Sequence, residues 1–186
     1  MLYAQIHLTL PPWIHDAVDG ERLYVDDIAK VELAIALSAR NVDAGSGGPF
    51  GAAVFDGHGR LLGVGVNRVV PQTCSVAHAE MMAYMTAQAR TQRARLNESG
   101  DRIVFATSAQ PCCMCYGATF WAGIDELLIG ARAEDVMALT EFDEGPLPAD
   151  WRGELERRGI AVRQDILRDA ACDVLRRYAS GGGANY

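Results

Sequence analysis

Apolar positions at Ile28, Val31, Ile35 and Val42 recur near one helical face, with Asp26 or Asp27 in front as an N-cap. The spacing predicts a helix over 27–43, ended by Gly45-Ser46-Gly47-Gly48-Pro49. Two apolar runs follow, 50–55 and 61–66. The link Asp56-Gly57-His58-Gly59 between them is a turn signal, so they predict a β-hairpin. His78, Met81, Met82, Met85 and Ala89 follow helical spacing and predict a helix over 76–90, with the methionines in the core. Residues 103–107 read as a buried strand, and 113–122 as a short helix with Met114, Gly117, Ala118 and Trp121 on one face. A strand over 127–131, a short helix over 133–139, an irregular stretch over 142–150 around Pro146 and Pro148, an edge strand over 160–162 and a helix over 165–178 complete the pattern. Pro11-Pro12 breaks up the start, so residues 1–26 read as an arm lying on the body. Residues 179–186 contain Gly181-Gly182-Gly183 and read as a flexible tail.

Strands alternating with helices argue an α/β fold, a three-layer α/β/α sandwich around a mixed sheet. No repeat or linker divides the chain, so 1–186 reads as one domain. Ligand sites in such folds lie at the C-terminal ends of strands, where helices begin.

Composition narrows the class. Hydrophobic residues make up 49% and charged residues 22% of the 186, the balance of a soluble globular protein. The net charge is −7, from 24 Asp+Glu against 17 Lys+Arg, and Lys30 is the only lysine. That balance lacks the basic footprint of a nucleic-acid binder and favours a small substrate. No run is long and apolar enough to span a membrane, and no secretory signal is visible, so a cytoplasmic location is expected. Five cysteines, clustered at 112, 113 and 115 with others at 74 and 172, fit a metal site in a reducing compartment better than a disulfide framework.

The chemistry is carried by His78-Ala79-Glu80 and Pro111-Cys112-Cys113-Met114-Cys115, read together as H-x-E and P-C-x-x-C. Cys112 and Cys115 lie on one side of a helical first turn, and Cys113 points away. One His and two Cys form a three-ligand zinc site whose fourth tetrahedral position stays open for water. Two helix N-termini facing the metal stabilise thiolates and developing negative charge. Glu80 is placed to accept a proton from the water. A structural zinc would need a fourth ligand, Cys74 or Cys113, and would leave Glu80 without a purpose.

These motifs resemble the cytidine-deaminase-like superfamily, whose signature pairs H-x-E with P-C-x-x-C. More narrowly, the chain resembles bacterial guanine deaminases of that fold. The likeness rests on Gly48-Pro49-Phe50-Gly51-Ala52-Ala53-Val54, Asn67-Arg68-Val69, Thr107-Ser108 leading to Pro111-Cys112, Cys115-Tyr116-Gly117-Ala118, Trp121 and Phe142-Asp143-Glu144, and spans about residues 27–178. It implies a central five-stranded sheet. It also implies zinc held by His78, Cys112 and Cys115, proton transfer by Glu80 and Glu144, and hydrolysis of guanine to xanthine and ammonia, a step of purine catabolism. It places Asn67, Phe50, Trp121, Phe142, Asp143 and Ala79 around the base. Tyr186 would serve as a lid, in a homodimer that closes each site with the partner's C-terminal segment.

The residues alone leave blander readings open. Phe50 reads equally as core, Trp121 as core or interface, Asn67 as a turn residue, and Asp143 and Glu144 as solvated carboxylates. Rival activities are aminohydrolysis of cytosine, aminotriazines or guanosine, and deamination of tRNA adenosine, which the net charge disfavours. A non-catalytic zinc module that binds a partner protein is a rival of another class.

Overall fold

The computed structural model describes residues 2–184. The elements in chain order are α1 (Ile14–Ala17), α2 (Asp27–Asp43), β1 (Gly51–Asp56), β2 (Leu61–Val66), α3 (Val69–Gln72), α4 (Ala79–Thr91), β3 (Ile103–Ala109), α5 (Cys113–Ala122), β4 (Glu126–Ala131), α6 (Ala133–Leu139), α7 (Trp151–Glu156), β5 (Ala161–Arg163) and α8 (Arg168–Ser180). The five strands form one mixed sheet in the order β2-β1-β3-β4-β5. β1 pairs antiparallel with both β2 and β3, and β3, β4 and β5 run parallel.

Side-chain alternation along the strands builds two cores. Ala53, Phe55, Val104, Ala106 and Leu128 turn to one face, where Val31, Ile35 and Leu37 of α2 and Val174 and Leu175 of α8 cover them. Ala52, Val54, Phe105, Leu127 and Ile129 turn to the other, under Ala79, Ala83, Tyr84 and Ala87 of α4, Tyr116 and Ala122 of α5 and Leu155 of α7. Burial on both faces is the α/β/α arrangement expected from the sequence. Phe55 and Phe105, each wholly buried, anchor the two halves, and burying such a ring contributes about 1.5–3 kcal/mol.

Several elements differ in detail from the pattern read along the chain. The helix expected over 76–90 starts at Ala79, with His78 as N-cap. Its buried face is Ala79, Met82, Ala83, Tyr84 and Ala87, whereas Met81 is half-buried and Met85 and Ala89 are exposed. The reason lies across the interface in β2. A Cβ at Gly65 would stand 2.0 Å from the Ala79 carbonyl oxygen, and one at Gly63 would stand 2.5 Å from the Ala87 nitrogen. Backbones this close leave room only for alanine at the points of contact, Ala79, Ala83 and Ala87.

On α5 the expected apolar face is only partly covered: Met114, Gly117 and Ala118 are half-buried and Trp121 is 79% exposed, whereas Cys115, Tyr116, Thr119 and Ala122 pack inward. Ile28 of α2 is likewise exposed. The short helix α1 arises within the stretch read as an arm, and α3 and α7 arise where no element was expected. Ahead of α2, Ile14 and Tyr24 are buried and Leu23 forms a bridge with Arg60. α8 runs through Ser180, and Gly183 and Ala184 fold back against the Tyr178 ring, so the described part of the tail is docked. Tyr186 lies outside the described residues. No helix among the described residues is long and apolar enough to cross a membrane.

Candidate active site

The site lies where β3 and β2 end and α4 and α5 begin. Cys112 is the N-cap of α5 and His78 the N-cap of α4, and neither side chain caps its own helix. Both turn toward a common point. His78 Nδ1 stands 3.6 Å from Cys112 Sγ, and the ligand atoms of His78, Cys112 and Cys115 all lie within 4.8 Å of one another. A tetrahedral zinc at about 2.0 Å from nitrogen and about 2.3 Å from sulfur sets N···S near about 3.6 Å, so the three donors fit the ion. Zinc is the cofactor. Cys113 turns away from this group and against Gly145, and its backbone N–H donates to the Glu144 carbonyl at 2.9 Å. That bond ties the loop bearing Glu144 to the start of α5.

The electrostatics suit a divalent cation. A hydrogen bond from Cys115 draws the Cys112 thiol down to about 4, and the same bond together with burial pushes Cys115 up. The pair therefore favours one negative charge until a cation stabilises both thiolates. Burial would lower His78, but the bond to Cys112 and the charge on Glu80 outweigh it and leave it raised.

A small cavity of about 40 Å³ opens on the ligands and is lined by Phe50, His78, Glu80, Gln110, Cys112, Phe142, Asp143 and Glu144. Burial, followed by the nearby Cys112 charge, raises Glu80 to about 7. Burial, followed by the Glu80 charge, raises Glu144 to about 8. Two carboxyls that resist ionising together near neutral pH are suited to holding and passing protons. Phe50 meets Phe142 edge-on at 5.2 Å, and Phe142 stacks on Tyr178 at 6.0 Å, which gives the cavity an aromatic side.

Asn67 sits behind Phe50, to whose carbonyl its backbone N–H donates at 3.1 Å. Its side-chain Oδ1 accepts from the Val69 N–H at 3.2 Å. Its Nδ2 is buried and, among the described residues, is the one buried side-chain polar atom without a hydrogen-bond partner. An orphaned buried donor is costly and points to an acceptor supplied from outside the chain.

Of the residues singled out in the sequence, Phe50, Glu80, Phe142, Asp143 and Glu144 come together with the metal ligands around the cavity. Ala79 is wholly buried between His78 and Glu80. Trp121 stands apart, exposed on α5 and outside the cavity lining. Gln110 lines the cavity and was missed; its position directly before Pro111-Cys112 was the available signal. Asn41, wholly buried on α2, was missed as well.

Fold and site together define a zinc-dependent deaminase, with the metal at the starts of two helices and carboxyls beside it. The chain belongs to the cytidine and deoxycytidylate deaminase family, whose zinc-binding region matches residues 25–131. The guanine deaminase of Bacillus subtilis (strain 168) is 32% identical over 136 residues, 73% of this chain and 83% of that protein. A solved guanine deaminase from Nitrosomonas europaea is 42% identical, with a TM-score of 0.90 over 97% of this chain and 99% of its own. The protein NE0047, solved with 2,6-diaminopurine, is 44% identical with a TM-score of 0.90, covering 97% of this chain and 95% of that one.

Proposed function

We propose that this chain hydrolyses guanine to xanthine and ammonia. The observation that carries the reading is the pair of buried, proton-holding carboxyls, Glu80 and Glu144, facing one cavity with the metal ligands. The likeness to guanine deaminases over nearly the whole chain supports guanine as the base.

When bound by His78, Cys112 and Cys115, zinc supplies Lewis acidity that lets water lose a proton near neutral pH. Glu80 takes that proton as the water oxygen adds to C2 of guanine, and passes it to a ring nitrogen. The C2–N bond then breaks as the C2 hydroxyl gives up its proton and becomes the carbonyl of xanthine, and Glu80 and Glu144 relay that one proton to the departing amine. One water enters and one ammonia leaves, so the carboxyls end as they began. Asn67 Nδ2 donates to an acceptor on the base edge, which answers its missing partner. Phe50 and Phe142 flank the ring, and Asp143 lies at the rim.

In this reading the 186 residues form a single deaminase domain acting in cytoplasmic purine catabolism. The five free cysteines suit a reducing compartment. The protein acts as a homodimer. Trp121, 79% exposed on the apolar outer face of α5, supports pairing through that face, since a bare indole there is costly in water. Trp121→Glu should shift sedimentation from dimer toward monomer; an unchanged dimer would place the interface elsewhere. An ammonia-release screen over guanine, guanosine, adenine, cytosine, aminotriazines and tRNA tests the substrate. Release from guanine is expected, and release from cytosine but not guanine would replace the substrate while sparing the zinc chemistry.

A further inference from the structure

Asn41 sits in the last turn of α2, wholly buried, and all of its hydrogen-bonding capacity is directed at the loop before β1 and the end of β2. Its Nδ2 donates to the Gly48 carbonyl at 2.8 Å and to the Asn67 carbonyl at 3.0 Å. Its Oδ1 accepts from the Ser46 hydroxyl at 2.7 Å. The Ser46 hydroxyl in turn accepts from the Trp13 indole N–H at 3.0 Å. Trp13 belongs to the N-terminal arm, outside the stretch that matches the family.

The direction of this chain is fixed by chemistry. An indole N–H can only donate, so Ser46 accepts from Trp13 and turns its single proton to Asn41, whose Oδ1 at 2.7 Å is nearer than its backbone carbonyl at 3.3 Å. The Gly48 and Asn67 carbonyls can only accept, so Asn41 must turn its Nδ2 to them and cannot flip. At the far end the Val69 N–H can also only donate, so the Asn67 Oδ1 faces Val69 and the orphaned Nδ2 is the group left for a ligand. Asn41 thus fixes the Asn67 backbone through its carbonyl, and the Val69 N–H fixes the sense of the Asn67 side-chain amide. Packing holds the same carbonyl, since a Cβ at Gly47 would stand 1.9 Å from the Asn67 oxygen. The arm is fastened independently, as Arg68 donates through Nε to the Thr9 carbonyl at 3.2 Å and through a second nitrogen to the Ser46 carbonyl.

We propose that Asn41 is the positioning residue for Asn67, and that Trp13 and Ser46 brace Asn41 so that the Asn67 backbone stays where its side-chain amide can donate to the base. This rests on reading Asn67 as the group that hydrogen-bonds the substrate. It gives the N-terminal arm a role in substrate selection without any contact with substrate. None of the three residues touches the reacting atoms, so the effect falls on KM and on discrimination between bases.

The test uses the full-length zinc enzyme and the variants Trp13→Phe, Ser46→Ala, Ser46→Thr and Asn67→Ala. Trp13→Phe and Ser46→Ala should raise KM for guanine about two- to tenfold, the range one neutral hydrogen bond supports, with kcat and zinc content held. Ser46→Thr, which keeps the hydroxyl, should restore KM. Ser46→Ala added to Asn67→Ala should cost nothing beyond Asn67→Ala alone, because the first acts through the second. Additive losses, or a fall in kcat and thermal stability with KM unchanged, overturn the proposal. If the wild-type enzyme ignores guanine, the substrate reading fails by itself. The same double-variant comparison on whichever base is turned over then decides the positioning role separately.

Discussion

Replacing Glu144 by Gln should stabilise the metal-stripped protein and cripple the enzyme. Glu144 is 7% exposed, and burial followed by the Glu80 charge raises it from 4.5 to about 8. Below pH 4.5 the carboxyl is protonated in folded and unfolded chains alike. Between 4.5 and about 8 the unfolded chain ionises while the folded one resists, so stability is lost as pH rises, and the loss is complete above about 8. At about 1.4 kcal/mol per tenfold, that interval sets a ceiling of about 5 kcal/mol. Gln fills the same space without the charge. In chelator-treated protein its melting temperature should match wild type near pH 4.5 and exceed it by about 5–15 °C at pH 8.5, at about 2–4 °C per kcal/mol. The zinc-loaded variant should lose at least about a hundredfold in kcat, since Gln carries no proton to the departing amine. Parallel thermal scans across pH and an ammonia assay measure both. Equal melting temperatures throughout, or near-normal turnover, would refute the view of Glu144 as a buried proton store.

Other predictions concern the ligands and the first carboxyl. Glu80→Gln should keep one zinc per chain and abolish turnover; a metal-loaded Glu80→Gln enzyme at near-normal rate would sink the mechanism. Cys113→Ala should retain zinc, because its sulfur faces the Glu144 loop, whereas Cys112→Ala and Cys115→Ala should lose it; metal analysis of the purified variants separates the two outcomes.

The zinc set was legible because its spacing is itself the geometry. Two cysteines three apart share one side of a first turn, and His78 precedes a helix. The sheet was legible because its strands are apolar runs bounded by turns. The inward faces of α4 and α5 were not. A hydropathy pattern weights methionine above alanine, yet Gly63 and Gly65 in β2 bring the α4 backbone so close that Ala79, Ala83 and Ala87 form the contact and Met85 is turned out. That choice is made by a strand remote in sequence, so no window along the helix contains it. On α5, Thr119 packs inward because the Tyr84 hydroxyl meets it at 3.1 Å, while Trp121 stays outside. Asn41 gave no local signal either, as its partners lie in a loop and at the end of another strand.

The two helices that begin at the metal start without help from their own side chains, since neither His78 nor Cys112 caps its helix. Their first-turn amides depend on what holds the chain just ahead of them. Zinc thereby acts as a staple between segments 34 positions apart, clamping two uncapped helix starts against each other. Its loss should register first as faster amide hydrogen exchange at residues 79–82 and 113–116, while the strands stay protected. In zinc-poor surroundings, fraying at those two ends would limit the working life of the enzyme long before global unfolding does.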